Sequence, residues 1–273
     1  VDDSAVVRSI VTKMLAAADG VEVVGTAANG RAAIDQVAAL KPDLVTMDVE
    51  MPEMDGITAV RELRRAGHRM PVIMLSTLTE RGAKATIAAL TAGASDYVAK
   101  PSSTGGLRDA VDGLAAELLP KLRALVPTRP AVPAPVVRAR AEATGLVKLA
   151  LIGSSTGGPA ALSRLVGSMT APPPVPVLVT QHMPAMFTRQ LADRLDRQGR
   201  ARVVEAEDGQ RLEPGWVYVA PGGRHLEVAG AGPVLHARLS DAPPVNYCKP
   251  SVDVMLDSAA RVLGARHLLV VML

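Results

Sequence analysis

The chain has 273 residues, 48% hydrophobic and 21% charged, which is enough to bury two cores of ordinary domain size. A net charge of +3 with 2% aromatic residues and no concentrated basic helix argues against nucleic-acid binding. No apolar run approaches the roughly 20 residues of a transmembrane helix, and the one cysteine, Cys248, allows no internal disulfide and fits a reducing, cytoplasmic setting.

In chain order, apolar runs at 21–24, 44–47, 72–75 and 96–99 predict strands. Amphipathic stretches at 31–40, 57–65 and 83–92 predict helices between them. This alternation over residues 1–118 predicts an α/β domain with a doubly wound parallel sheet covered on both faces. The chain opens at Val1-Asp2-Asp3 with almost none of the first strand, so further sequence is expected upstream. Residues 119–146 hold Pro120, Pro127, Pro130, Pro133 and Pro135 among Ala and Arg, and predict a linker.

A second α/β pattern occupies 147–273. Strands are predicted at 147–153, 176–181 and 215–221, a hairpin from 226–228 and 234–239, and helices at 159–169, 187–197 and 251–263. The last residues, 267–273, read as a buried strand, and sequence is expected to continue beyond them.

Carboxylates fall at predicted strand ends in the first domain: Asp2 and Asp3 after the first strand, Asp48 after the second apolar run. Open parallel sheets bind ligands at that edge. Clustered carboxylates repel unless a hard cation neutralises them, and oxygen donors suit Mg²⁺. Ser76 brings a hydroxyl and Lys100 an ammonium to the same edge, completing a phosphoryl-transfer set with Asp48 as nucleophile. Together with Met47-Asp48-Val49-Glu50-Met51-Pro52 and Lys100-Pro101, these residues resemble a two-component receiver domain. The resemblance implies a flavodoxin-like five-stranded fold and phosphorylation of Asp48. It also implies Mg²⁺ held by Asp3, Asp48 and the Glu50 backbone carbonyl with Asp2 beside them, and switch roles for Ser76, Tyr97 and Lys100.

In the second domain, Gly153-Ser154-Ser155-Thr156-Gly157 fits G-x-S-x-G between a strand and a helix, the setting of a nucleophile elbow. Ser155 is then the nucleophile and the Thr156 N–H an oxyanion donor. Serine needs a base. His182 ends the next predicted strand, 27 residues on, where adjacent parallel strands can bring the two together. A dinucleotide-binding turn is the competing reading of these glycines, but the next strand ends in Gln181-His182 where a ribose-binding acid is wanted, and the full G-x-G-x-x-G is absent. His225, His236 and His267 have no such partner and read as structural. Cys248, in a proline-flanked loop without a matched base, reads as a bystander.

The segments 152–158, 180–184, 205–209, 218–222, 243–246 and 250–253 resemble the catalytic domain of the CheB protein-glutamate methylesterases. The receiver–linker–esterase order is also that family's. The resemblance implies a Rossmann-like catalytic domain with a small hairpin, and hydrolysis of glutamate methyl esters on methyl-accepting chemoreceptors, with deamidation of receptor glutamines. It further implies a chemotaxis histidine kinase as phosphodonor, and no cofactor for the hydrolysis itself. Its third triad member is an Asp in a Thr-Gly-Met-Gly-x-Asp-Gly segment expected beyond residue 273; Asp208, Asp241, Asp253 and Asp257 do not match it. The rival from another class is a response regulator whose second domain only binds a partner.

Overall fold

Each early helix of the first domain starts where a short polar side chain can satisfy its free N–H groups. Ser4 caps α1 (Ala5–Ala16), Asn29 caps α2 (Gly30–Leu40), Asp55 caps α3 (Gly56–Arg65) and Thr79 caps α4 (Glu80–Ala92). Between them run β1 (Val45–Asp48), β2 (Val72–Ser76) and β3 (Asp96–Ala99), parallel and in that order. The register pairs Asp48 with Leu75 and Ser76 with Ala99, so three strands end at one edge. The computed structural model describes residues 1–77, 79–100, 107–126, 146–231 and 234–273, and the chain divides into two units, Val1–Ala134 and Pro135–Leu273.

Val11, Met14 and Leu15 of α1 meet Leu114 and Leu118 of α5 (Leu107–Leu125) over Ile73, Leu75 and Val98 on one side of the sheet. On α3, buried Ala59, Val60 and Leu63 continue the core, and α3 touches both α2 and α4. The fold is the expected flavodoxin-like receiver, but among the described residues three strands form, not five. Residues 21–24 are not a strand. A strand requires a neighbour to take its N–H and C=O groups, and among the described residues none pairs with 21–24. Beside β1, Asp48 N donates to Val1 O (2.9 Å) and Asp2 N to Ala27 O (3.2 Å). Val21 and Val23 line a cavity of about 420 Å³ that also touches Leu15, Val45 and Leu122.

The helix α5 crosses the expected linker boundary and runs through Pro120 to Leu125. Proline removes one helical hydrogen bond and crowds the carbonyl four residues back. Ala116 and Pro120 both lie on the exposed face, where water can reach that carbonyl, while Leu118, Leu119, Leu122 and Leu125 hold the opposite face in the core. Packing therefore overrides the local signal. Of the other expected linker residues, 127–145 lie outside the described residues.

In the second unit, β4 (Leu149–Ser154), β5 (Val177–Gln181), β6 (Arg202–Glu205), β7 (Trp216–Val219) and β10 (Leu268–Met272) form one parallel sheet in the order β10-β4-β5-β7-β6. The helices are α6 (Gly158–Gly167), α7 (Ala185–Asp196) and α8 (Val252–Leu263). A hairpin of β8 (His225–Ala231) and β9 (Val234–Ser240) lies against α8, and Leu149, Leu151, Leu178, Tyr218, Leu226 and Met255 form the core between them. Strand β6 had no counterpart in the sequence reading. Its four residues carry one fully buried side chain, Val203, too little for a periodic signal.

Restoring the missing hydrogen bond should stabilise the first unit. Pro120→Ala is expected to raise its unfolding free energy by about 1–3 kcal/mol, read from the urea midpoint at unchanged m-value.

Candidate active site and phosphoryl acceptor

The β4–β5 register decides the geometry of the second site. Ser154 pairs with Gln181 as the last residues of their strands, so Ser155 and His182 leave the sheet side by side. His182 N donates to Ser154 O across the strand ends (3.3 Å). The side chains meet, with Ser155 Oγ 3.3 Å from His182 Nδ1. The chain turns sharply after Ser155. Gly157 caps α6 in the left-handed region (φ 77°), and a Cβ on Gly158 would stand 2.0 Å from Gln181 Oε1. This is the strand–turn–helix context of a nucleophile elbow. Thr156 follows the exposed Ser155 directly, with its N–H on the elbow turn.

One brace of this elbow escaped the sequence reading. Gln181 is 2% exposed; its Oε1 accepts from Ser154 Oγ (2.7 Å) and its Nε2 donates to Ser155 O (3.0 Å). The same carbonyl accepts from Gly158 N (2.9 Å). The only signal in the sequence is an amide side chain at the end of a strand, where a dinucleotide-binding turn would want an acid.

His182 is half-buried, and burial lowers its ring below the ordinary imidazole value of 6.5, with the Asp253 charge opposing. A neutral ring accepting at Nδ1 carries its proton on Nε2, which is buried and has no hydrogen-bond partner among the described residues. Cys248 does not stand apart: its Sγ is 3.8 Å from the same Nδ1, because the loop after β9 folds back over His182. His225 is fully buried, accepting from Ser251 N (3.1 Å) and donating to Pro243 O (3.1 Å).

In the first unit the charged cluster assembles around Lys100. Its Nζ lies 2.8 Å from Asp2 Oδ2 and 2.7 Å from Asp48 Oδ2, while Asp48 Oδ1 accepts from Val49 N (2.7 Å). Burial opposes charge on Lys100, but its bonds to Asp2 and Asp48 outweigh that and hold the ammonium above its ordinary value. Burial raises the Asp48 carboxyl, and Lys100 opposes the rise. Carboxylate oxygens of Asp2, Asp3 and Asp48 fall within 4.8 Å of one another, a hard-donor set that fits Mg²⁺. The Glu50 side chain turns away to Arg81 (3.1 Å), leaving its backbone carbonyl in the β1–α3 loop.

Ser76 ends β2 at the same edge, 1% exposed, with its hydroxyl held 2.6 Å from Thr86 Oγ1 and 3.2 Å from Gly82 O. Thr86 was not anticipated; it lies ten residues away and reaches Ser76 only through the first turns of α4. Tyr97 is buried in β3, its ring 4.8 Å from Lys121 Nζ. It shares no hydrogen bond with Ser76 among the bonds described.

Known proteins match both units. Residues 150–273 match the family model of the CheB methylesterase, and residues 1–112 that of the response regulator receiver domain. A protein-glutamate methylesterase/protein-glutamine glutaminase of a Nocardioides species is 52% identical over 97% of this chain and 75% of its own length. Its counterpart in Archaeoglobus fulgidus is 44% identical over 97% of this chain and 77% of its own. The chain belongs to the CheB methylesterase family. It is a response regulator with a hydrolase as its second domain, and the elbow and its histidine fall inside the segment that this family's model covers. The dinucleotide-binding alternative falls away with that membership. No helix among the described residues is long and apolar enough to cross a membrane.

Two outcomes follow from the elbow. Gln181→Leu removes the 2.7 Å acceptor of the Ser154 hydroxyl and one donor to the Ser155 carbonyl, so kcat should fall about tenfold or more with little change in KM. Ester hydrolysis should be lost as pH falls, because the base must be neutral; burial pushes that acid limb down and neighbouring carboxylate charge pushes it up. Asp253→Asn, which removes the opposing charge, should move the acid limb of kcat/KM lower still.

Proposed function

We propose that this chain hydrolyses glutamate γ-methyl esters on the cytoplasmic helical bundle of chemoreceptors, under control of phosphorylation at Asp48. The observation that carries the hydrolytic half is the Ser155–His182 contact of 3.3 Å at an elbow beside a histidine kept neutral by burial. His182 Nδ1 takes the Ser155 proton as Oγ attacks the ester carbonyl. The Thr156 N–H faces the developing oxyanion. The protonated His182 then delivers its proton to the departing methoxide, releasing methanol and leaving an acyl-serine. A water attacks that ester with His182 again as base, freeing glutamate and restoring Ser155. The same steps on a glutamine side chain release ammonia, which is the second activity in the relatives' name.

A triad needs an acid to fix the histidine tautomer and stabilise its cation. The unpartnered Nε2 is the atom such a carboxylate would accept from. By the resemblance, that acid is the Asp of the segment that follows a strand like β10. The pairing of β10 beside β4 directs such a segment towards the elbow edge.

Control falls to the first unit. Asp48 is the phosphoryl acceptor, with a chemotaxis-type histidine kinase as donor. Mg²⁺ would be held by Asp3, Asp48 and the Glu50 carbonyl with Asp2 beside them, and supplies charge neutralisation for the incoming phosphoryl group. Lys100 ion-pairs with the acceptor, and Ser76 and Tyr97 serve as the switch. No cofactor enters the ester chemistry. The protein works in the cytoplasm, on membrane-anchored receptors and without membrane insertion or nucleic acid.

The test is methanol release from methylated receptor by the full-length protein, with and without a small phosphodonor and Mg²⁺. Release should rise with phosphodonor, fall at least about 10³-fold in Ser155→Ala, and lose its phosphodonor response but not its basal rate in Asp48→Asn. No release under any condition would instead favour a second domain that only binds.

A further inference from the structure

The loop between β9 and α8 is built to hold one residue out. Its ends are pinned by the buried His225, whose Nε2 donates to Pro243 O (3.1 Å) and whose Nδ1 accepts from Ser251 N (3.1 Å). Lys249 Nζ donates to Asp241 O (2.9 Å), and Gly223 N to Lys249 O (3.2 Å). At the tip, Val245 N donates to Cys248 O (3.1 Å) and Cys248 N to Val245 O (2.9 Å), closing a two-residue turn. Both central residues have positive φ, Asn246 at 49° and Tyr247 at 62°, as a type I′ turn requires.

Asparagine tolerates that region, and its side chain is tied to Asp253 (2.8 Å). Tyrosine does not: glycine is the residue this second position favours, and a bulky side chain there is strained. Tyr247 nevertheless occupies it, 103% exposed, so no burial within the fold compensates. The next residue, Cys248, touches the His182 ring at 3.8 Å. The strained aromatic therefore stands on the rim of the Ser155 site.

We propose that Tyr247 is a specificity-determining residue that docks the helix carrying the scissile glutamate ester. This rests on the esterase reading above. A side chain that reaches Ser155 from a helix leaves the helix body outside the elbow, against the rim. An aromatic side chain held out on a closed turn gives such a body an apolar contact without ordering a loop on binding. Met186, in the first turn of α7 and 38% exposed, adds a second apolar group four residues after His182. The occupant is a helix with apolar residues one turn from the ester-bearing glutamate.

The experiment compares two substrates on the full-length protein: a helical peptide bearing one glutamate γ-methyl ester between apolar residues one turn away, and the γ-methyl ester of N-acetyl-glutamate amide. In Tyr247→Gly, the ratio of kcat/KM for the peptide over the small ester should fall about tenfold, through KM of the peptide. Tyr247→Phe should keep the ratio. Glycine suits the turn, so the melting temperature of Tyr247→Gly should hold or rise, which separates docking from folding. An unchanged ratio, or equal losses on both substrates, overturns the docking role and leaves the esterase standing. Failure of the parent protein to hydrolyse either substrate removes the esterase reading and the docking role together.

Discussion

The pairing of Ser154 with Gln181 is the constraint on which the candidate hydrolytic site depends. Two parallel strands that end in register deliver the next residue of each to the same point, and here those residues are Ser155 and His182. A slip of one position would turn every side chain of β5 to the opposite face of the sheet. The fully buried strands β4 and β5 forbid it, because all their side chains already sit in close-packed surroundings. The stability of the sheet and the alignment of Ser155 with His182 are thus one interaction. Gln181 adds to it by spending both ends of its amide on the elbow, one on the Ser154 hydroxyl and one on the Ser155 carbonyl.

The first unit uses the same edge of the same kind of sheet for different chemistry. Asp48 and Ser76 end β1 and β2, Lys100 follows β3 directly, and Lys100 N donates to Ser76 O (2.6 Å) to hold it at that edge. What differs is charge. The receiver edge gathers the carboxylates of Asp2, Asp3 and Asp48 around one ammonium, whereas the elbow gathers a hydroxyl, a neutral imidazole and a thiol.

Both candidate sites could be picked out because their residues sit at strand ends, where a short motif fixes position without knowledge of the fold. G-x-S-x-G encodes its turn within five residues, and Asp48, Ser76 and Lys100 each follow an apolar run. The parts that were not legible depend on partners far along the chain. Residues 21–24 have strand composition but no neighbour to bond. Pro120 breaks helices in isolation, yet the leucines around it are anchored in a core made by other elements. Cys248 lies 66 residues from His182 and reaches it through a loop whose anchors are His225 and Asp253. Gln181 could be seen, but its role needed the elbow it braces.

Burial pushes Asp48 and His182 the same way, towards their uncharged forms, and the two sites respond oppositely. For His182, as the base of the proposed hydrolysis, the push favours a ring free to accept a proton, and the Asp253 charge opposes it. For Asp48 the push works against the carboxylate form, and Lys100 lies 2.7 Å away to oppose it. In the proposed phosphorylation, a phosphoryl group at Asp48 would add about two negative charges next to that ammonium, a large local change in field. The Ser155–His182 pair asks the reverse of its surroundings, a ring that stays neutral until it takes a proton, and burial pushes it that way.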